Sequence, residues 1–338
     1  MSSQLIHINP VSQISQSLVL SGNIIAFNLL NMLMGKGTHE YIEDERNRDI
    51  LININGKLTP REQAVVSVFD SGFILGDGVW EGLRLHAGVV VFLKDHLKRL
   101  YQGAKSLDLD IGLTPAQLTE RLMATLKANR MHNGVHIRLM VTRGIKITPY
   151  QDPRCTIPGS TIVIIAEYKE PSPRKIEGGI KLFTTHVRRG YPDVQDQKMN
   201  SHSKINCIQG CIQASKAGAD EALMLDPHGF VSTCNSTHFF IVTQGEVWTS
   251  TGDYCLGGIT RSKIIQLCEE NNIPIKQKNF SLFDVYGADE AFVTGTFAGI
   301  TPVNEVDGRL IGDGQQRNMI RRLQDLYIDL IKQEAAHE

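Results

Sequence analysis

The first 35 residues contain no Lys, Arg, Asp or Glu. A secretory or organellar leader opens on basic residues, so this stretch lacks the signature of one. Ile24, Ile25, Phe27, Leu29, Leu30, Leu33 and Met34 are apolar, but Ser21, Gly22, Asn23, Asn28 and Asn31 interrupt them. The stretch therefore falls short of the ~18 consecutive apolar residues of a membrane span. Residues 1–50 are expected to form an extension that packs on its own domain or on a partner subunit. Excess charge is lacking too: 35 Lys and Arg against 36 Asp and Glu leave a net charge of -1. That balance excludes a broad electrostatic footprint for nucleic acid or an anionic membrane, so a charged ligand has to be held by local arrangement. The six cysteines include no Cys-x-x-Cys pair, and no His stands near them at zinc spacing. A metal site is not indicated, and the thiols read as free groups in a reducing, cytoplasmic compartment.

What is present fits two α/β domains: 338 residues, 41% hydrophobic and 21% charged, supply ample core. Leu51–Ile54, Val65–Phe69 and Val89–Leu93 read as strands, the first closed by a turn at Asn55-Gly56. Asp95–Leu100 opens a helix. Thr114-Pro115-Ala116-Gln117 begins another, with a capping hydroxyl, proline at the first helical position and Gln three residues on. Residues 135–141 and 161–166 are strand-like and close a first domain over 51–169. Glu170-Pro171-Ser172-Pro173 marks a linker over 170–178, and a second, cofactor-binding domain runs over 179–338. Met319, Leu323, Leu326 and Leu330 give the last helix an apolar face.

Leu256-Gly257-Gly258-Ile259-Thr260-Arg261 is the sharpest local signal. A glycine pair ends a loop where Ile264, Ile265 and Leu267 begin a helix, so free backbone N–H groups converge on one spot and the helix dipole favours an anion there. Glycine lets a phosphate approach closely and Thr260 adds a hydroxyl. Taken alone the pattern also describes an ordinary helix start. A second run of small residues, Val293-Thr294-Gly295-Thr296-Phe297-Ala298-Gly299, follows a strand and could add another contact.

Residues 73–82 (FILGDGVWEG), His96-Leu97-Lys98-Arg99-Leu100, Val141-Thr142-Arg143-Gly144, Gly258-Ile259-Thr260-Arg261 and Gly295-Thr296 occur in that order. Together they resemble the class IV, or fold-type IV, pyridoxal phosphate enzymes: branched-chain aminotransferases, D-amino acid aminotransferases and aminodeoxychorismate lyases. The resemblance covers residues 51–325. It implies a two-domain α/β fold with pyridoxal 5'-phosphate in the interdomain cleft, and a homodimer. It further implies that Arg99 pairs with the cofactor phosphate, as suits a guanidinium. Gly258, Ile259, Thr260 and Thr296 would complete the phosphate contacts. Arg138 and Arg143 match arginines that meet the substrate in the branched-chain and D-amino acid enzymes respectively.

Two departures fall at the reactive centre. The resemblance requires a lysine for the Schiff base and the proton shuttle. Aligned without gaps, that position falls on Asn200, with Lys198 two residues before it and Lys204 four after. A helix over 201–216 would put position 204 about one turn along, on a similar face. Lys204 is the expected Schiff-base lysine, with Lys198 as the alternative. The second departure is Thr233, where the family carries a glutamate that keeps the pyridine nitrogen protonated. A hydroxyl can hydrogen-bond that nitrogen but supplies no counter-charge.

The resulting expectation is a pyridoxal phosphate-dependent aminotransferase moving an amino group between a small amino acid, branched-chain or similar, and a 2-oxo acid. The alternatives are a lyase of the aminodeoxychorismate type and a non-catalytic family member, the latter suggested by Asn200 and Thr233.

Overall fold

The structure, a computed structural model, describes residues 38–39, 43–314 and 317–337. Most of the N-terminal extension therefore lies outside the described residues. Two sheets organise the rest. The first has six strands: β1 (Leu51–Ile54), β2 (Lys57–Pro60), β3 (Gly78–His86), β4 (Val89–Val90), β5 (Val135–Thr142) and β6 (Thr161–Tyr168). They lie in the order β2-β1-β6-β5-β3-β4 and every pairing is antiparallel. The second holds β7 (Ile180–Thr184), β8 (Glu221–Leu225), β9 (Val231–Cys234), β10 (His238–Thr243), β11 (Glu246–Thr249), β12 (Ile275–Gln277), β13 (Glu290–Gly295), β14 (Gly299–Val306) and β15 (Arg309–Leu310). Its order is β12-β11-β10-β13-β14-β7-β8-β9, with β15 on β14, and β7 runs parallel to both its neighbours.

The described helices are α1 (Ser71–Leu75), α2 (Leu93–Ser106), α3 (Pro115–Ala128), α4 (Pro173–Gly178), α5 (Pro192–Gln195), α6 (Ile205–Lys216), α7 (Ile259–Glu270), α8 (Leu282–Tyr286) and α9 (Asn318–His337). Helices α2 and α3 bury Leu97, Leu100, Leu118 and Leu122 against Leu83 and Leu85 of β3. The period-2 pattern of β3 decides the rest of its geometry. Glu81 shares the inward parity of Leu83 and Leu85, while Trp80, Gly82 and Arg84 take the other face beside Arg138 and His136 of β5. In the second sheet, Phe240 of β10 and Phe292 of β13 are cross-strand partners with rings stacked at 4.8 Å. They lie under α7 and α9, with Ile264, Ile320 and Leu323.

Several sequence expectations hold as local structure. Thr114 forms the expected capping box with Gln117. Leu323 is buried and Met319, Leu326 and Leu330 pack beside it. Val65–Phe69 is not a strand: no neighbouring strand pairs with it, and Val65, Val68 and Phe69 are exposed. Of Val89–Leu93 only two residues are strand, because the chain turns into α2 at Leu93. The stretch expected as linker contains α4, with Pro173 at its first turn. Helix α6 begins at Ile205 rather than 201, because residues 200–202 are tied to β3 instead. Trp80 N–H donates to the Asn200 carbonyl at 3.0 Å and His202 N–H to the Gly78 carbonyl at 2.9 Å. Lys204 is thus the N-cap of α6 and does not sit one helical turn along from Asn200.

Candidate active site

Helix α7 starts at Ile259 with Gly258 as N-cap and no side chain capping it. The first intrahelical bond is from Ser262 N–H to the Gly258 carbonyl at 3.0 Å. The three preceding amides have no acceptor among the described residues, so the helix start offers an anion three donors and the positive end of its dipole. The Gly258 backbone is extended with φ -67°, so its need for glycine is one of space. A Cβ there would collide with Nε2 of His238.

Arg99 approaches this helix start from α2. Its Nη1 donates to the Gly257 carbonyl at 2.6 Å, while Nε and Nη2 grip the two Glu81 oxygens at 2.8 and 2.6 Å. His96 Nδ1 lies 2.7 Å from the same carboxylate. Burial pushes the Glu81 carboxyl up, but the bonds from Arg99 and His96 outweigh it and hold it below its usual range. A fully buried glutamate therefore fixes a guanidinium beside the helix start. Thr260 is buried, and with Thr296 it lines a cavity of about 310 Å³ that also touches Arg84, Phe297 and Tyr327. A larger cleft, about 700 Å³, is lined by Arg99, Gly257 and Ile259. These residues suit a phosphate: a fixed cation, an uncapped helix end and buried polar atoms with no partner among the described residues (His238 Nδ1 and Thr294 Oγ1).

The amine of Lys204 lies 5.5 Å from the centre of the Trp80 ring, and Arg138 Cζ lies 4.0 Å from that same centre. Lys204 has no carboxylate within ion-pair distance among the described residues. Burial pushes its amine down to about 8, and the positive charges of Arg189 and Arg99 push the same way. The sequence alternative, Lys198, is half exposed with its amine 4.0 Å from Asp253. Asn200 is buried, donating from Nδ2 to the Trp80 carbonyl at 2.6 Å while its Oδ1 has no partner among the described residues.

Arg143 is engaged elsewhere. Its guanidinium donates to Asp77 at 2.7 and 3.1 Å and to the carbonyls of Leu107 and Asp108. Thr233 is buried, and its hydroxyl donates to the Thr237 carbonyl at 2.8 Å, so that proton is already committed. Nearby, Glu221 accepts from the hydroxyls of Thr237 and Thr38. Burial pushes its carboxyl up against the pull of those hydroxyls.

Sequence reasoning passed over Arg189, which is 6% exposed yet has no carboxylate partner among the described residues. It donates to Asn206 Oδ1 at 2.7 Å and to Cys207 Sγ at 3.2 Å, which ties down the first turn after Lys204. It also passed over His238 and over the pairing of Glu81 with Arg99, which joins strand to helix across 18 residues.

This is the architecture of a fold-type IV enzyme, with an uncapped helix start suited to a phosphate and a partly buried lysine. A profile of the amino-transferase class IV family matches residues 78–306, and the chain belongs to that family. It is 40% identical over 281 residues to a putative branched-chain-amino-acid aminotransferase of Methanocaldococcus jannaschii, covering 82% of this chain and 96% of that one. It is also 40% identical to branched-chain-amino-acid aminotransferase-like protein 2 of Arabidopsis thaliana, covering 83% of this chain. The chain spans about half (50%) of that plant relative's length. Among solved structures it resembles the branched-chain amino acid aminotransferase of Escherichia coli. The TM-score is 0.79 at 26% identity, covering 84% of this chain and 95% of that one.

Proposed function

We propose that the protein is a pyridoxal phosphate-dependent aminotransferase. It would exchange an amino group between a small amino acid, branched-chain or similar, and a 2-oxo acid. The observation that carries this reading is Lys204, a partly buried amine free of any acidic ion-pair partner among the described residues. It is close enough to feel the charge of Arg99, which itself bonds the Gly257 carbonyl next to the uncapped helix start. When bound, pyridoxal phosphate supplies a carbonyl for an amine to attack and a ring that accepts electrons from the substrate's Cα.

The chain's own residues do the rest. Arg99, the Ile259 and Thr260 amides, and Thr296 would hold the phosphate, with Gly258 giving it room. Lys204 Nζ serves as nucleophile and proton carrier, which requires its neutral form. An amine of pKa about 8 is about one-tenth neutral at pH 7, against roughly one in three thousand for an ordinary lysine. Its place at the N-cap of α6 helps, since the positive end of a helix disfavours an ammonium. Lys198, salt-linked at the surface, is the weaker candidate. Arg138, stacked on Trp80, would take a substrate carboxylate. Arg143 would have to leave Asp77 to do so, and we assign it to holding the loop that carries Asp77. Thr233 would face the ring nitrogen with an oxygen lone pair and no charge.

The two sheets are read as two domains, over 51–169 and 179–338, joined through 170–178. Exposed Val65, Val68, Phe69, Phe73 and Ile147 support a homodimer that covers them. Free cysteines support a reducing, cytoplasmic setting, and among the described residues no helix is long and apolar enough to cross a membrane.

Product analysis tests the reaction type. Incubation of the cofactor-loaded protein with L-leucine and 2-oxoglutarate should give 4-methyl-2-oxopentanoate and glutamate in equal amounts. Pyruvate released from aminodeoxychorismate without any amino acceptor would instead make the chain a lyase.

A further inference from the structure

Two buried polar atoms lie unsatisfied under the first turn of α7. His238 opens β10 and Thr294 stands directly opposite it in β13. Cross-strand partners project to the same side, here the face shared with Phe240 and Phe292 and covered by α7. His238 is 7% exposed and Thr294 0%. His238 Nδ1 and Thr294 Oγ1 have no hydrogen-bond partner among the described residues. Native interiors seldom leave two such groups together without a ligand or a water to satisfy them. The other edge of the imidazole meets the helix start, with Nε2 and Cδ2 the atoms that a Gly258 Cβ would strike. The ring therefore fills the space beneath the uncapped amides.

We propose that His238 is a phosphate-binding residue of this chain, donating from Nε2–H to the anion at the start of α7, with the Thr294 hydroxyl, which makes no bond to Nδ1 in this structure, turning to donate to it when the anion is bound. The proposal rests on the reading that the helix start receives the phosphate group of pyridoxal phosphate. It accounts for both orphan atoms at once. A neutral imidazole has one donor and one acceptor, and orienting the donor outward requires a donor group on the inner nitrogen. Thr294, the cross-strand neighbour of His238 with an uncommitted hydroxyl, is the nearest group on the pairing register able to swing into that role. Burial, with Arg261, Arg99 and Arg189 around it, holds His238 down to about 3, so the ring is neutral throughout the physiological range. Its contribution is directional rather than ionic, and it complements the charge of Arg99.

The test compares two ligands that differ only in the phosphate. Apoprotein is titrated with pyridoxal phosphate and with pyridoxal, for the unaltered chain, His238→Phe, His238→Gln and Thr294→Val. His238→Phe should weaken pyridoxal phosphate binding about tenfold, the scale of one charge-assisted hydrogen bond, and leave pyridoxal within about twofold. His238→Gln, which keeps a donor, should recover part of the loss. Thr294→Val, which keeps the shape, should shift the same preference by a smaller factor. Equal losses for both ligands would make His238 a packing residue and overturn the proposal, as would no loss for either. If the unaltered protein binds pyridoxal phosphate with a preference that the Phe and Val variants leave intact, only the His238 assignment fails. If it binds no pyridoxal phosphate, the cofactor reading fails with it.

Discussion

Lys204 holds its amine 5.5 Å over the ring of Trp80, at the N-cap of α6. The cation–π contact offsets part of the cost of burying the charge, yet burial still dominates and brings the amine down to about 8. The rate of Schiff-base formation with added pyridoxal phosphate should therefore rise as pH passes through about 8. An inflection near the ordinary lysine value of 10.5 would argue against Lys204 as the reacting amine.

The same burial makes a stability prediction. The folded amine binds its proton less tightly than the unfolded one, so between about pH 8 and 10.5 the unfolded chain carries more protons and stability rises with pH. Below about 8 the full cost of the buried charge is present. Lys204→Met should raise the melting temperature of the apoprotein at pH 7, and the gain should shrink above about pH 10. A gain unchanged across that range would point to packing rather than charge.

Arg99 neutralises Glu81, which is fully buried. Arg99→Ala should lower stability by about 3 kcal/mol in denaturant titrations, because it strands a buried carboxylate, and should abolish cofactor retention. In Glu81→Gln/Arg99→Ala most of the stability should return while cofactor retention stays lost. Restored retention would remove Arg99 from the phosphate site.

Gly258→Ala drives a methyl into His238 Nε2 with no backbone strain to confound it. The expected loss is about 1–3 kcal/mol of stability from overpacking. The loss should be largely relieved in a His238→Ala background, where the ring is gone. Additive effects in the double variant would show that the two residues do not touch.

Thr114→Ala serves as a control distant from the chemistry. Removing the capping hydroxyl of α3 should cost about 1 kcal/mol with unchanged cofactor binding.

Where the determinants were local, the sequence made them readable. Thr114-Pro115 with Gln117 specifies a helix start within four residues, and Gly257-Gly258 before Ile264 and Ile265 specifies another. Val65–Phe69 misled because β-branched composition shows only that a segment could pair, while pairing needs a free neighbouring edge. The start of α6 was misplaced for a similar reason. Nothing within residues 200–204 reveals that β3, 120 residues earlier, claims their backbone groups. The engagement of Arg143 by Asp77 and the burial of Arg189 are likewise products of packing. The lysine was legible as a pair of choices, and only the fold distinguishes a half-exposed Lys198 from a partly buried Lys204.

The most direct measurement is borohydride reduction of the protein loaded with pyridoxal phosphate, followed by peptide mapping. The account predicts one phosphopyridoxyl group per chain, on Lys204, lost in Lys204→Ala and retained in Lys198→Ala. A label on Lys198, or undiminished trapping in Lys204→Ala, would contradict it.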